Sequence, residues 1–308
     1  MGGRVARRRR SELATPASSA RMLAKAPSTG ADLVFIDLED ACAPSVKVEA
    51  RASAVEALVA LDWGDTVRAV RVNGLDTPWC YGDVVDVVSG ARDALDVIIV
   101  PKARRARDVW WFDVLLTQLE NTLGLNKRIG LEVLIEEAEG LANAVEIAMA
   151  SPRLEAVILG AGDLSASMRS RVDTNFQPTE PYPGDFWHYA RWQVLTAARA
   201  AGIDAIDAPF PAYQDPDSYR DDARRAAAIG FDGKWAIHPS QVPLANEVFE
   251  PSEAEVAWAM RTRDAYRAAE GAGTGAISMD GMLVDAAHMR HVASVLVRAG
   301  IEQPDGHG

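Results

Sequence analysis

Apolar residues recur along the chain as short, nearly continuous runs separated by longer amphipathic stretches. Eight runs stand out: Glu12 to Thr15, Leu33 to Leu38, Thr66 to Val72, Val97 to Val100, one ending at Glu136, one from Leu154 to Asp163, Ile203 to Ile206, and Lys234 to Ile237. Unbroken apolar runs, rather than in/out alternation, mark parallel strands buried on both faces. Between them the spacing predicts helices. Val109, Phe112, Leu115, Leu116 and Leu119 share one helical face, as do Trp192, Leu195, Ala198 and Ala201. Ile129 to Asp163 shows the repeating unit, with Ala138, Leu141, Ala144, Val145 and Ala148 at helical spacing between two apolar runs. Such a right-handed βαβ unit sets Glu136 and Asp163 at the carboxyl ends of neighbouring parallel strands. Eight strands alternating with helices over roughly 240 residues predict a (β/α)₈ TIM barrel. A doubly wound sheet is the alternative, but no Gly-rich fingerprint follows the first strand.

Residues 1–245 are read as the barrel, with residues 1–9 a basic flexible tail, and residues 246–308 as a helical extension. In the extension, Ser252 and Glu255 form a capping-box pattern that opens a helix through about Ala268. Glycines 271, 273 and 275 break it, and a last helix is expected from about Leu283 to Arg298. A helix on a glycine hinge reads as a lid or exchanged arm, or as a packing helix.

The chain has 308 residues and a net charge of −12, which argues against a nucleic-acid partner. No apolar run reaches the ~18–20 residues that span a membrane. Arg4 and Arg7 to Arg10 are followed by no apolar segment of the kind a secretory signal needs, and Ala6 stands where myristoylation wants Ser or Thr. Two cysteines, Cys42 and Cys80, supply neither a disulfide framework nor metal spacing, so a reducing cytoplasm is expected.

Active sites of barrels lie where the strands end, so the polar strand-end residues become the candidates: Thr15, Glu39, Asp40, Arg71, Lys102, Glu136, Asp163, Asp207 and His238. Acids gathered at one mouth raise each other's cost unless a cation offsets them. Glu136 and Asp163, two hard oxygen ligands on adjacent strand ends, suit Mg²⁺, which takes one or two carboxylates and leaves its other positions to water and substrate.

The segments F-I-D-L-E-D-A-C-A-P (Phe35 to Pro44), V-R-V-N (Val70 to Asn73), V-P-K (Val100 to Lys102), L-I-E (Leu134 to Glu136), G-A-G-D (Gly160 to Asp163) and G-K-W-A-I-H-P-S-Q (Gly233 to Gln241) resemble, in order, those of the citrate lyase β-subunit-like (HpcH/HpaI aldolase/citrate lyase) family. Within it the chain is most similar to the malyl-CoA lyase branch, through D-W-G-D (Asp62 to Asp65), L-L-T-Q (Leu115 to Gln118), A-S-P-R (Ala150 to Arg153) and A-N-E-V-F (Ala245 to Phe249). It departs from that branch at Ala161, where Pro is usual, and in the loop from Met168 to Tyr182.

The resemblance implies a Mg²⁺-dependent (alternatively Mn²⁺-dependent) lyase that cleaves or forms a 3-hydroxyacyl-CoA such as malyl-CoA, assembled as a homotrimer or hexamer with shared sites. It implies Glu136 and Asp163 as metal ligands, Arg71 on the small 2-oxo acid, and Glu39 and Asp40 around the metal's waters. Arg10, Arg21 and Lys25, with Lys102 grouped beside them, are expected toward coenzyme A. Asp285, in D-G-M-L-V-D (Asp280 to Asp285), is the expected acid/base, donated by a neighbouring subunit's lid. A malyl-CoA-type thioesterase and a non-catalytic CoA-binding subunit are the alternatives.

Overall fold

In the computed structural model, which describes residues 7–301 apart from Ala272, eight parallel strands close into a barrel. They are β1 (Ser11–Pro16), β2 (Leu33–Asp37), β3 (Val67–Arg71), β4 (Val97–Val100), β5 (Gly130–Ile135), β6 (Leu154–Leu159), β7 (Asp204–Asp207) and β8 (Gly233–Ala236). Each pairs with its successor and β8 returns to β1. Helices follow the strands, among them Lys47–Ala60, Cys80–Ala91, Ala106–Leu123, His188–Ala201 and Pro216–Ile229.

The apolar runs serve two cores at once. Leu33, Phe35, Val67, Ala69, Val97, Ile99, Leu134, Ala156, Ile158, Ile206 and Trp235 fill the barrel interior. Their sequence neighbours, such as Val34, Ile36, Val70, Ile98 and Val133, pack outward under the helices. Successive side chains of a strand point to opposite faces, so one continuous apolar run supplies both layers.

The lower barrel is polar. Glu12 and Glu132 are fully buried, and Trp235 Nε1 donates to Glu12 Oε2 at 2.8 Å. Their counter-charge corrects the expectation of a flexible tail through residue 9. Arg9 is 3% exposed, with Nε 2.7 Å from Glu132 Oε1 and Nη1 3.0 Å from Asp204 Oδ2. Arg7 pairs with Glu155 at 3.0 Å. Buried carboxylates need paired cations, and this basic stretch supplies them as it enters the barrel floor. Residues 1–6 lie outside the described residues.

Between β5 and β6 the expected single helix is two short ones, Ala138–Ala142 and Ala144–Ala148, broken where Asn143 Nδ2 donates to Arg104 O at 2.9 Å.

The chain divides into two compact units after Phe249 rather than after residue 245, because helix Val242–Phe249 belongs to the barrel unit. In the second unit the Ser252–Glu255 capping box forms, and it opens helix Glu253–Gly271. The expected helix from Leu283 is corrected: an antiparallel hairpin, β9 (Ala276–Met279) and β10 (Met282–Asp285), precedes helix Ala286–Arg298. Asp280 and Gly281 take φ of 51° and 77°, the paired positive values of the tight turn that Asp-Gly favours. Ala259, Val292, Val295 and Leu296 form this unit's core.

Candidate active site

At the carboxyl ends of the strands a cavity of about 610 Å³ opens, lined by Asp37, Asp40, Arg71, Glu136, Asp163 and Phe176 over a floor that includes Phe35, Leu134 and Trp235. Arg71 ends β3 beside Asp37, its register partner at the end of β2. The two form a fork, Nε to Oδ1 at 2.8 Å and Nη2 to Oδ2 at 2.6 Å. The guanidinium carbon also lies 5.4 Å from the Trp235 ring centre and 5.9 Å from that of Phe35. Fork and aromatic floor fix the guanidinium plane, leaving Nη1 2.9 Å from Glu39 Oε2 and 3.5 Å from Asp40 Oδ2. The Glu39 contact is an ion pair by distance but lacks hydrogen-bond alignment, and Glu39 Oε2 has no hydrogen-bond donor of its own.

The turn after β2 is tied down from below. The buried Lys47 ammonium donates to Leu38 O, Glu39 O and Asn73 Oδ1 at 2.9, 2.6 and 2.6 Å, and Asn73 Nδ2 donates to Asp83 Oδ2 at 2.6 Å. Asp37 also accepts from Glu39 N and Ala41 N. Glu39 is thereby presented to the mouth by buried groups on three elements.

Glu136 follows β5, 2% exposed, and accepts the Lys102 backbone N–H at 2.8 Å. Burial, Glu39 and Asp163 together push its carboxyl up to about 8, against the pull of Arg71. Gly160 makes its position possible, since a Cβ there would meet Glu136 Cβ at 2.4 Å. Asp163 lies in the first turn of helix Ala161–Ser167, partly exposed. Lys102, held at φ 53°, bonds Glu39 Oε1 at 2.6 Å and stands 3.7 Å from both Asp40 and Asp163. Burial alone would lower its pKa, but these carboxylates outweigh it and raise it. Burial likewise raises the Glu39 carboxyl, with Arg71 opposing and Asp40 adding.

Among the described residues, five carboxyl groups, Asp37, Glu39, Asp40, Glu136 and Asp163, thus face the two cations Arg71 and Lys102. Among the described residues no group of three or more Asp, Glu, His or Cys side chains is arranged to hold a metal ion. Mg²⁺ takes one or two carboxylates and leaves its other positions to waters and substrate. Glu136, buried and short of positive charge, is the donor such an ion fits.

Other candidates fall elsewhere. Arg10, expected toward coenzyme A, lies at the amino end of β1, with its backbone N–H and Nε both 2.9 Å or less from Asp32 Oδ2 and Nη2 2.7 Å from Oδ1, at the end of the barrel opposite the mouth. Lys102, expected toward coenzyme A, stands in the carboxylate cluster. Asp207, at its strand end, is buried against Arg191 and Lys234 and does not reach the mouth. Arg21 and Lys25 line a second cavity of about 320 Å³ with Thr15 and His238, which shares Ala14, Pro16 and Ile237 with the first. His238 stacks on Tyr213, ring centres 4.6 Å apart. In the second unit, Asp285 caps helix Ala286–Arg298, accepting from Ala287 N at 2.9 Å with His288 Nδ1 also at 2.9 Å. These bonds, that of His288 foremost, hold its carboxyl below the usual range. Asp37, Phe35 and Trp235 were absent from the strand-end candidates. The alternation of the strands would have found them, because Asp37 is two residues past the inward Phe35.

Fold and mouth together define a TIM-barrel enzyme with a carboxylate-rich site built around one clamped arginine. Residues 10–239 match the family model described as HpcH/HpaI aldolase/citrate lyase, and the chain belongs to that family. It is 44% identical, over 95% of each chain, to an L-malyl-CoA/beta-methylmalyl-CoA lyase of Cereibacter sphaeroides. A (3S)-malyl-CoA thioesterase of the same species is 36% identical over 94% of each chain. Among solved structures, protein CitE from Mycobacterium tuberculosis, in complex with magnesium, acetoacetate and coenzyme A, superimposes with a TM-score of 0.73 at 31% identity, covering 94% of this chain and 97% of that one.

Proposed function

We propose that this chain is a divalent-metal-dependent carbon–carbon lyase that cleaves a 3-hydroxyacyl-CoA such as malyl-CoA into acetyl-CoA and glyoxylate, and runs the reverse condensation. One observation carries the reading: the Asp37–Arg71 fork stands beside the electron-rich Glu136 and Asp163 in a single cavity. The 44% identity to a malyl-CoA lyase supports the substrate class.

Glu136 and Asp163 would hold Mg²⁺ or Mn²⁺, which when bound polarises the oxygens of a 2-oxo acid and offsets the charge of the cluster. Cleavage moves one proton from the 3-hydroxyl to the α-carbon as the carbon–carbon bond breaks. Negative charge grows on oxygen and then on the thioester enolate. Arg71, already fixed by its fork, presents Nη1 to the oxo-acid oxygens without reorganising, which is where fixed dipoles lower a barrier most. Glu39 and Asp40, both paired with Lys102, would orient the waters of a bound metal. Asp285, kept ionised by His288 and the helix N–H groups, takes the α-proton in condensation; in cleavage it takes up the proton released from the 3-hydroxyl and delivers it to the α-carbon. It acts from a neighbouring subunit in a homotrimer or hexamer. Arg21 and Lys25 receive the phosphates of coenzyme A, and the aromatic floor keeps water from the enolate.

The test is purified protein with malyl-CoA, in Mg²⁺ or in EDTA, with glyoxylate, acetyl-CoA and free thiol followed together. Metal-dependent glyoxylate and acetyl-CoA without free thiol is the expected result. Free thiol with malate and no glyoxylate would make the chain a thioesterase, the reading its 36% relative supports. Silence with both malyl-CoA and β-methylmalyl-CoA would leave a non-catalytic CoA-binding role.

A further inference from the structure

Phe176 holds a left-handed backbone conformation, φ 58°, which a bulky side chain adopts only where its surroundings impose it. Here they do. Asp173 Oδ1 accepts from Asn175 N at 2.8 Å and Gln177 N at 2.9 Å, Phe176 N donates to Asp173 O at 3.1 Å, and Val172 bridges to Pro178. The buried Trp187 donates Nε1 to Phe176 O at 2.9 Å. The far end of this loop is anchored as well, since Asp185 binds Arg191 Nη1 at 2.9 Å and the buried Arg191 binds Asp207 on β7. Asp173 O and Trp187 Nε1 thus hold Phe176 directly and the other bonds fix the loop around it, which is how a fold fixes a side chain for a purpose.

The Phe176 ring lines the mouth. It also lies against Gly162, the residue before Asp163, so closely that a Cβ on Gly162 would meet ring Cζ at 2.9 Å. The cavity with Arg21 and Lys25 adjoins the mouth at β1 and β8, two to three strands round the barrel from β6, and Phe176 is not among its lining residues. An acid held beside Asp163 therefore lies next to the ring, whereas Arg21 and Lys25 line a cavity that the ring does not reach.

We propose that Phe176 is a specificity-determining residue: its ring limits the size of the carbonyl substituent on a 2-oxo acid held beside Asp163, admitting hydrogen and excluding larger alkyl groups. This rests on the reading above in placing the oxo acid at Glu136 and Asp163. One methyl more or less against an apolar wall discriminates by about 10- to 200-fold, so a single ring suffices. Alanine at 176 keeps the same backbone demand as phenylalanine, so Phe176→Ala isolates the ring.

Wild type, Phe176→Ala and Phe176→Leu are titrated calorimetrically in Mg²⁺ with glyoxylate, pyruvate and 2-oxobutyrate. The same acids are condensed with acetyl-CoA, and the product thioester is followed by chromatography. Phe176→Ala raises the pyruvate-to-glyoxylate and 2-oxobutyrate-to-glyoxylate ratios, in affinity and in kcat/KM, by about tenfold or more, and Phe176→Leu falls between. Gly162→Ala, which pushes the ring toward the mouth, lowers both ratios. Ratios within about twofold of wild type in the folded variants, or parallel losses with all three acids, overturn the inference. If Phe176→Ala does not fold, the Phe176→Leu ratios decide it by the same criterion. Binding ratios that shift while no thioester is formed uphold the ring's role and sink the lyase instead. Failure of wild type to bind any of the acids overturns both.

Discussion

Asp37 makes no proposed contact with substrate, yet its replacement by asparagine tests how Arg71 is positioned. Asp37→Asn keeps one acceptor and the size of the side chain, but removes the charge and the 2.6 Å partner of Nη2. Removing one member of a buried ion pair costs about 3–5 kcal/mol. Arg71 retains Glu39 at 2.9 Å and Asp40 at 3.5 Å, so the net loss is taken as about half of that, near 2 kcal/mol, a fall of roughly 4–8 °C in thermal midpoint. The larger effect is on turnover. Released from its fork, the guanidinium swings toward Glu39 and Asp40 and no longer meets the growing charge, and losing one preorganised donor costs about 10²–10³ in kcat. The assay is Mg²⁺-dependent glyoxylate release from malyl-CoA, with the melting curve recorded on the same sample. A kcat within about threefold of wild type would refute the positioning argument, whatever the melting temperature did.

Two further outcomes follow from the geometry. Glu136 titrates near 8 in the folded, metal-free protein, well above its ordinary range, so the folded state binds this proton more tightly than the unfolded chain. Its contribution to stability is complete below the ordinary glutamate pKa and is lost as pH rises toward 8. The metal-free thermal midpoint should fall over that window, and Mg²⁺ should restore it most at the alkaline end, because the ion must displace the proton; a Mg²⁺ affinity flat from pH 6 to 9 would contradict this. Arg10→Ala should lower the thermal midpoint without changing the KM for the thioester, because its partner is Asp32 at the barrel floor, whereas Lys25→Ala should raise that KM about tenfold or less, as loss of one exposed phosphate contact does; a reversed pattern in the kinetics would put coenzyme A at the wrong end.

The strands were legible because a parallel barrel buries both faces of each one, and a run such as residues 33–36 has no polar position to interrupt it before Asp37 ends the strand. Strand ends were legible as a site, but not which residue of an end faces inward. The pleat decides that. Phe35, Ala69 and Leu134 point into the barrel, so Asp37, Arg71 and Glu136, each two residues on, reach the mouth. Ile206 also points in, so Asp207 points out and meets Arg191 beneath the helices. Parity was available in the sequence and would have replaced Asp207 with Asp37. The hairpin at Asp280-Gly281 was hidden by Met279, Met282, Leu283 and Val284, whose apolar clustering resembles a helix seam although the Asp-Gly turn argues otherwise. Arg9 could not be read, because its partners Glu132, Glu155 and Asp204 come from three distant strands or their edges.

The most direct test of the account replaces Asp163 with alanine and measures two things on one preparation, calorimetric Mg²⁺ binding and glyoxylate release from malyl-CoA. Asp163 is partly exposed and pairs with Lys102 at 3.7 Å, so Asp163→Ala should fold and melt like wild type while losing both Mg²⁺ binding and turnover. Retention of either in a folded Asp163→Ala protein would contradict the site as described.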